Sequence, residues 1–335
     1  MSITQHRVGV IGGGAWGTAL SILANRAGSQ VMLATRNPNV IHSIRERRCN
    51  EVYLPSAFID PGIAIIERLG EVCRGDLLIL AVPSHVLRSV CISISDELPA
   101  NLPVMLASKG IERGSLMLMS EVAQAILPKN PIAVISGPNF ADEAAKGLPT
   151  ATTIACADES LWDLLTYAVG GRLFRPYMTV DTIGAQVGGA VKNVISIACG
   201  IAIGKNFGEN ARAALITRGF AEITRLALVK GGKYETLMGL SGLGDLILTC
   251  GSAKSRNLSF GIAIGQGRNK KEILAGRGRM ATEGVLTAES VSKLAKKFDV
   301  PMPICDAVHR ILYENAPVDQ VIQELLERPF TSEGI

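Results

Sequence analysis

One lysine stands alone in a long apolar segment. Residues 182–204 are mostly small and aliphatic, and Lys192 is the only charge among them. A buried ammonium without a partner costs several kcal/mol, so this lysine needs a partner or a task. Desolvation also lowers its pKa toward neutrality, where an amine can both give and take a proton. A lysine snorkelling from a helix edge is the plainer reading. The neighbouring Asn193, Gly188 and Gly189 favour the functional one. Asp245, set in Leu240–Ser241–Gly242–Leu243–Gly244–Asp245–Leu246, is an acid among apolar residues and calls for a positive partner. Further on, Ser255, Arg256 and Asn257 fall at an expected helix start. They suit either an ordinary capped terminus or a phosphate cradle.

A second constellation lies near the N-terminus. Gly12–Gly13–Gly14–Ala15–Trp16–Gly17 matches G-x-G-x-x-G, after an apolar run and before a helical pattern. Gly12 permits a tight turn, Gly14 lets a pyrophosphate approach the backbone, and Gly17 lets helix pack close to strand. At the end of the next strand, where an NAD-selective site often carries an acid, the chain has Arg36. A guanidinium there favours a 2′-phosphate, so NADP is expected beside NAD; a solvated surface arginine is the alternative. Lys109 and the run Ser136–Gly137–Pro138–Asn139 each follow a strand's carboxyl end, where ligands of open α/β sheets bind. Glu283 reads as a helix-start acid or a ribose ligand.

These residues need elements to hold them. Apolar runs at 8–11, 30–34, 63–66, 77–81, 104–107, 132–135, 152–155 and 173–177 read as strands buried on both faces. Helical patterns at 15–27, 40–48, 85–94, 116–127, 140–146 and 161–169 separate most of them, with Asn37 or Asn39 as a cap for the second. The expected fold is therefore α/β: a doubly wound, mainly parallel sheet followed by an all-helical C-terminal domain. The spacing places residues 1–185 in a dinucleotide-binding domain and 186–335 in a helical substrate-binding domain.

Composition excludes several other classes. The 335 residues are 47% hydrophobic and 19% charged, against global disorder. A net charge of +4 without a basic block argues against nucleic acid as a partner. Seven cysteines, none in a CxxC spacing, read as reduced thiols of a cytoplasmic protein. Four scattered histidines suggest no metal site. The N-terminus does not read as a signal peptide. The segment around Lys192 reads as a buried helix rather than a stable membrane insertion, because a central lysine is expensive in lipid.

Together, several segments resemble bacterial-type NAD(P)-dependent glycerol-3-phosphate dehydrogenase. They are VIGGGAWGTAL (10–20), SKG (108–110), SGPNFA (136–141), GAVKN (189–193), GLSGLGDL (239–246) and SRN (255–257). The resemblance runs nearly the whole length. It implies a Rossmann-type N-terminal domain, a helical C-terminal domain and a homodimer. It also implies reversible reduction of dihydroxyacetone phosphate to sn-glycerol 3-phosphate, a phospholipid precursor. By motif, Lys192 is the catalytic proton donor and acceptor. Lys109, Gly137, Asn139, Asp245, Ser255, Arg256 and Asn257 line the substrate site. Ala15, Trp16, Arg36, Lys109, Ala141, Arg256, Ala281 and Glu283 contact the cofactor. The chain departs from many relatives at Asn139, where Ser or Thr is usual, and at Ala15, where Ser is common. Two other readings stay open on the residues alone: a hydroxy-acid dehydrogenase and a non-catalytic NADPH sensor. The Ser255–Asn257 cradle argues against the first, and a charged lysine in an apolar helix against the second.

Overall fold

The eight apolar runs of the first half all become strands of one sheet. The computed structural model describes residues 5–276, 283–330 and 332. Its first unit, Met1–Ser108 with Met119–Thr182, alternates strand and helix. In order come β1 (Arg7–Ile11), α1 (Ala15–Arg26), β2 (Gln30–Ala34), α2 (Pro38–Arg47), β3 (Cys49–Asn50), β4 (Leu54–Phe58), β5 (Ala64–Ile66), β6 (Leu77–Leu80) and α3 (Ser84–Ile94). Then follow β7 (Val104–Leu106), α4 (Met119–Ile126), β8 (Ile132–Ser136), α5 (Ala141–Lys146), β9 (Thr150–Cys156), α6 (Trp162–Val169) and β10 (Phe174–Thr179).

The sheet order is β10-β9-β8-β7-β6-β1-β2-β5. All neighbours run parallel except β8 and β9. The chain winds from β1 through β2 to one edge, then returns beside β1 as β6 and winds the other way. That reversal puts a crevice at the carboxyl ends of β1 and β6, where the glycine loop begins. Helix α2 starts with Asn37, whose side chain accepts from Asn39 N at 3.0 Å.

Three features depart from the sequence reading. A small antiparallel hairpin, β3–β4, inserts after α2. The helix expected from 116 starts at Met119, because Leu116 has φ +60° and Ile111 bridges Leu118 antiparallel. Lys109–Leu118, together with the chain from Ile183 onward, belongs to the second unit. Ile111 and Leu118 join the apolar cluster of that unit, so burial overrides sequence continuity.

The second unit is helical. It comprises α7 (Thr182–Gly204), α8 (Gly208–Val229), α9 (Tyr234–Met238), α10 (Asp245–Gly251), α11 (Arg256–Gly265), α12 (Lys270–Gly276), α13 (Glu283–Lys297), α14 (Pro303–Tyr313) and α15 (Val318–Leu326). A π-helical turn, Leu240–Gly244, leads into α10. Helix α7 is the one described helix long and apolar enough to cross a membrane, and 89% of its most apolar window is buried within the protein. Its glycines explain how. A Cβ on Gly200 or Gly204 would collide with the backbone of α11, and one on Gly261 or Gly265 with that of α7. The two helices therefore cross with their backbones nearly touching.

Candidate active site

The glycine loop has the shape its motif demands. Gly12 has φ +125°, and a Cβ there would strike the Ala81 carbonyl. A Cβ on Gly17 would strike the Gly12 carbonyl, so α1 packs tightly on the loop. Gly14 differs: a Cβ there would meet nothing within 4 Å. It is the N-cap of α1, and no side chain caps the helix. The orphan N–H groups of the first turn therefore stay available on an open side, as a pyrophosphate would require. Ala15, Trp16 and Ala141 are partly buried against the apolar core of the first unit. Arg36 is exposed just past β2.

Gly137 follows β8, where a Cβ would crowd Thr152 Cα at 3.1 Å. The Asn139 amide lies 2.9 Å from Thr152 Oγ1. This side chain is therefore engaged with β9.

Within the second unit, the lone lysine finds its acid. On α7, Gly188 and Lys192 stand four residues apart on one face. A Cβ on Gly188 would lie 2.7 Å from the Ser241 carbonyl oxygen. The π-turn thus presses onto α7 and delivers Asp245 to Lys192. Asp245 Oδ1 lies 2.5 Å from Lys192 Nζ, and Oδ2 lies 2.6 Å from Lys109 Nζ. Lys192 Nζ also donates to Thr249 Oγ1 at 2.8 Å. Asp245 is 1% exposed and Lys192 7%.

Burial lowers the Lys192 pKa to about 8, more than Asp245 raises it. Lys109 lowers it further, and the field of Glu283 raises it. One carboxylate thus bridges two ammonium groups, one of them on a buried side chain. In such a low-dielectric setting charge–charge interactions are stronger than at the surface.

Beside this cluster the cradle residues turn partly inward. Ser255 caps α11, accepting from Leu258 N at 3.2 Å, and its hydroxyl lies 3.2 Å from Ser196 Oγ. Asn257 donates to Asn193 Oδ1 at 2.9 Å and accepts from Gly284 N at 3.0 Å. Their side chains therefore fasten α11 to α7 and α13. Arg256 is exposed at the start of α11. Ala281 lies outside the described residues.

Sequence reasoning gave no role to Thr249 or Asn50, and used Asn193 only as a polar neighbour that favours a functional Lys192. Thr249 carried one signal, its place four residues after Asp245 on the same helix face. Among the described residues no group of three or more metal-ligating side chains occurs, and all seven cysteines are free.

A glycine loop at the reversal point of a parallel sheet, with a desolvated lysine–aspartate pair in a helical unit, defines a nicotinamide-dinucleotide oxidoreductase. The chain belongs to the NAD-dependent glycerol-3-phosphate dehydrogenase family. The N-terminal part of that family matches residues 7–162 and the C-terminal part residues 181–323. The glycerol-3-phosphate dehydrogenase [NAD(P)+] of Caulobacter vibrioides is 49% identical over 332 residues, spanning 99% of this chain and 100% of that one. That of Rhodospirillum rubrum is 49% identical over 333 residues, spanning 99% and 95%. The crystal structure of glycerol-3-phosphate dehydrogenase from Coxiella burnetii superimposes with a TM-score of 0.92 at 39% identity, covering 97% of this chain and 99% of that one.

Proposed function

We propose that the protein interconverts dihydroxyacetone phosphate and sn-glycerol 3-phosphate with NADP or NAD, using Lys192 as general acid and base. The observation that carries this reading is the buried Lys192–Asp245–Lys109 cluster in a chain of this family. Bound NAD(P)H supplies the hydride that adds to the carbonyl carbon. Negative charge then develops on the carbonyl oxygen. The protonated Lys192 donates to that oxygen, and Lys109 adds positive charge that grows in value as charge develops. Asp245 keeps both ammonium groups in place, and Thr249 orients the Lys192 Nζ. In the reverse direction neutral Lys192 accepts the hydroxyl proton.

Residues 1–185 serve on this reading as the dinucleotide-binding domain and 186–335 as the substrate-binding domain, with Lys109 working beside the latter. Gly12, Gly14, Ala15, Trp16, Gly17, Arg36, Ala141 and Glu283 are assigned to the cofactor. The N-terminus of α11 with Arg256, together with Gly137 and Asn139, is assigned to the substrate. Ser255 and Asn257 hold the α11 terminus in shape rather than offer their whole side chains to a phosphate. A cytoplasmic homodimer completes the reading, and seven free cysteines suit a reducing compartment.

The test is loss of NADPH absorbance on adding dihydroxyacetone phosphate. Lys192→Met should fold and bind NADPH yet turn over roughly 10²–10⁴ times more slowly. Normal turnover by the folded variant would remove Lys192 from the proton transfer.

A further inference from the structure

The hairpin β3–β4 places one fully buried amide against the glycine loop. Asn50 is 0% exposed. Its Nδ2 donates to the Gly13 carbonyl at 2.9 Å and to Thr18 Oγ1 at 2.8 Å. Its Oδ1 accepts from Tyr53 N at 3.1 Å, within its own turn. Both N–H groups of the amide are thus spent on the loop and on the first turns of α1.

The Gly13 carbonyl belongs to the peptide unit that ends in Gly14 N–H. A trans peptide is planar, with its C=O and N–H pointing in opposite directions. No cis peptide occurs among the described residues. Holding the carbonyl toward Asn50 therefore turns Gly14 N–H away from Asn50. The other side of the loop is closed as well, because a Cβ on Gly13 would press on Thr35 Oγ1 at 2.5 Å. The peptide is held between Thr35, just past β2, and the hairpin, while the Gly14 side is open: a Cβ there would meet nothing within 4 Å.

We propose that Asn50 is a positioning residue for the dinucleotide pyrophosphate: it fixes the 13–14 peptide so that Gly14 N–H faces the anion. This rests on the reading that the glycine loop binds NAD(P). Asn50 does not touch the cofactor. Its effect passes through one peptide plane, so it bears on the diphosphate and spares the rest of the dinucleotide. The device also explains why a two-residue strand interrupts the chain between α2 and β5.

The experiment measures equilibrium binding of three ligands to the intact protein (NADPH, ADP-ribose and adenosine 2′-phosphate, the last without a diphosphate), with adenosine as the reference. In Asn50→Asp an oxygen replaces the donor facing the Gly13 carbonyl, and the peptide is released or repelled. NADPH and ADP-ribose should each weaken roughly 10- to 100-fold, the range for a hydrogen bond to a charged group. Adenosine 2′-phosphate affinity and kcat at saturating NADPH should stay unchanged. Thr18→Val removes the other contact but leaves the grip on Gly13, so it should lower stability without this ligand pattern. Should Asn50→Asp fail to fold, Asn50→Ala provides the same comparison without the charge. Equal weakening of all three ligands, or of none, overturns the proposal. If the unmodified protein binds ADP-ribose no better than adenosine, the glycine-loop reading fails instead.

Discussion

Asp245 is shared by two ammonium groups, with Oδ1 2.5 Å from Lys192 Nζ and Oδ2 2.6 Å from Lys109 Nζ. The two lysines compete for one counter-charge inside a site from which water is largely removed. Lys192 is the more buried and loses more solvation. Its proton is therefore held loosely, while Lys109, with 18% of its side chain exposed, keeps contact with water. A single carboxylate thus bridges two lysines, the more buried of which is the proton donor proposed above.

A pH profile follows. With the Lys192 pKa lowered to about 8, the protonated donor disappears above that pH. The kcat/KM for ketone reduction should fall above about pH 8, and that for alcohol oxidation should rise through the same pH. Because Lys109 lowers this pKa and Asp245 raises it, Lys109→Met should move both limbs to higher pH. Asp245→Asn should move them lower, with a stability loss of about 3–5 kcal/mol for breaking a buried ion pair. Steady-state rates across the range in both directions check this. A limb that stays fixed in Lys109→Met would show that the titrating group is not Lys192.

Much of this was legible in the residues, for physical reasons. The inner strands β1, β6, β7 and β8 are short, nearly continuous apolar runs, the pattern of burial on two faces, whereas the edge strand β10 carries exposed Arg175 and Tyr177. The hairpin strands lack that pattern: Cys49–Asn50 is two residues long, and Leu54–Phe58 carries Pro55 and Ser56 on exposed positions. The detour of Lys109–Leu118 into the second unit is invisible locally, since only the distant cluster around Ile111 and Leu118 reveals it. Lys192 and Asp245 announced themselves because an isolated charge among apolar residues demands a partner. That they are each other's partner, 53 residues apart, depends on the π-turn packing against Gly188. Ser255 and Asn257 show a further case: their types suit a phosphate, and the fold also engages their side chains in holding α11 to its neighbours, a use their sequence did not reveal.

The crossing of α7 and α11 should not tolerate a methyl group. In Gly261→Ala the new Cβ would collide with the Ile197 carbonyl, and in Gly200→Ala with the Leu258 carbonyl. Both obstacles are backbone, so the helices must separate. Each variant should lose roughly 1–3 kcal/mol, the usual cost of overpacking, read as a shift in the urea midpoint. Gly251→Ala is the control, since a Cβ there meets nothing within 4 Å. A Gly261→Ala protein as stable as the control would mean that the close crossing is absent.

Glu222 gives a pH dependence of stability. It is 1% exposed and accepts from Ile304 N at 2.7 Å and Cys305 N at 3.1 Å, tying α8 to the first turn of α14. Burial raises its pKa from the ordinary 4.5 to about 7, against those hydrogen bonds and the field of Arg225. A folded-state pKa above the unfolded one gives stability that is present at pH 4.5 and below and is lost as pH rises toward 7. The difference is on the order of 3 kcal/mol at 1.36 kcal/mol per unit. Denaturant midpoints at pH 5 and pH 8 should therefore differ more in the unmodified protein than in Glu222→Gln, whose amide does not titrate. Equal differences in the two proteins would place the titration elsewhere.

The substrate phosphate is the last point that solution work can settle. If the α11 terminus and Arg256 hold it, unphosphorylated dihydroxyacetone should be a very poor substrate. The loss should appear in kcat as well as KM, because binding energy from a remote phosphate positions the reacting carbonyl. Arg256→Ala should reproduce much of that loss with the phosphorylated ketone. With the unphosphorylated ketone it should add little, since both changes delete the same interaction and cannot add. Ser255 and Asn257 should behave differently. Their side chains hold α11 to its neighbours, so Asn257→Ala should lower stability as well as phosphate discrimination. NADPH affinity must be measured in each variant, because Arg256 is also assigned to the cofactor. Additive losses from Arg256→Ala and phosphate removal would free the arginine from the phosphate and leave the backbone N–H groups of α11, with the other residues assigned to the substrate, to hold it.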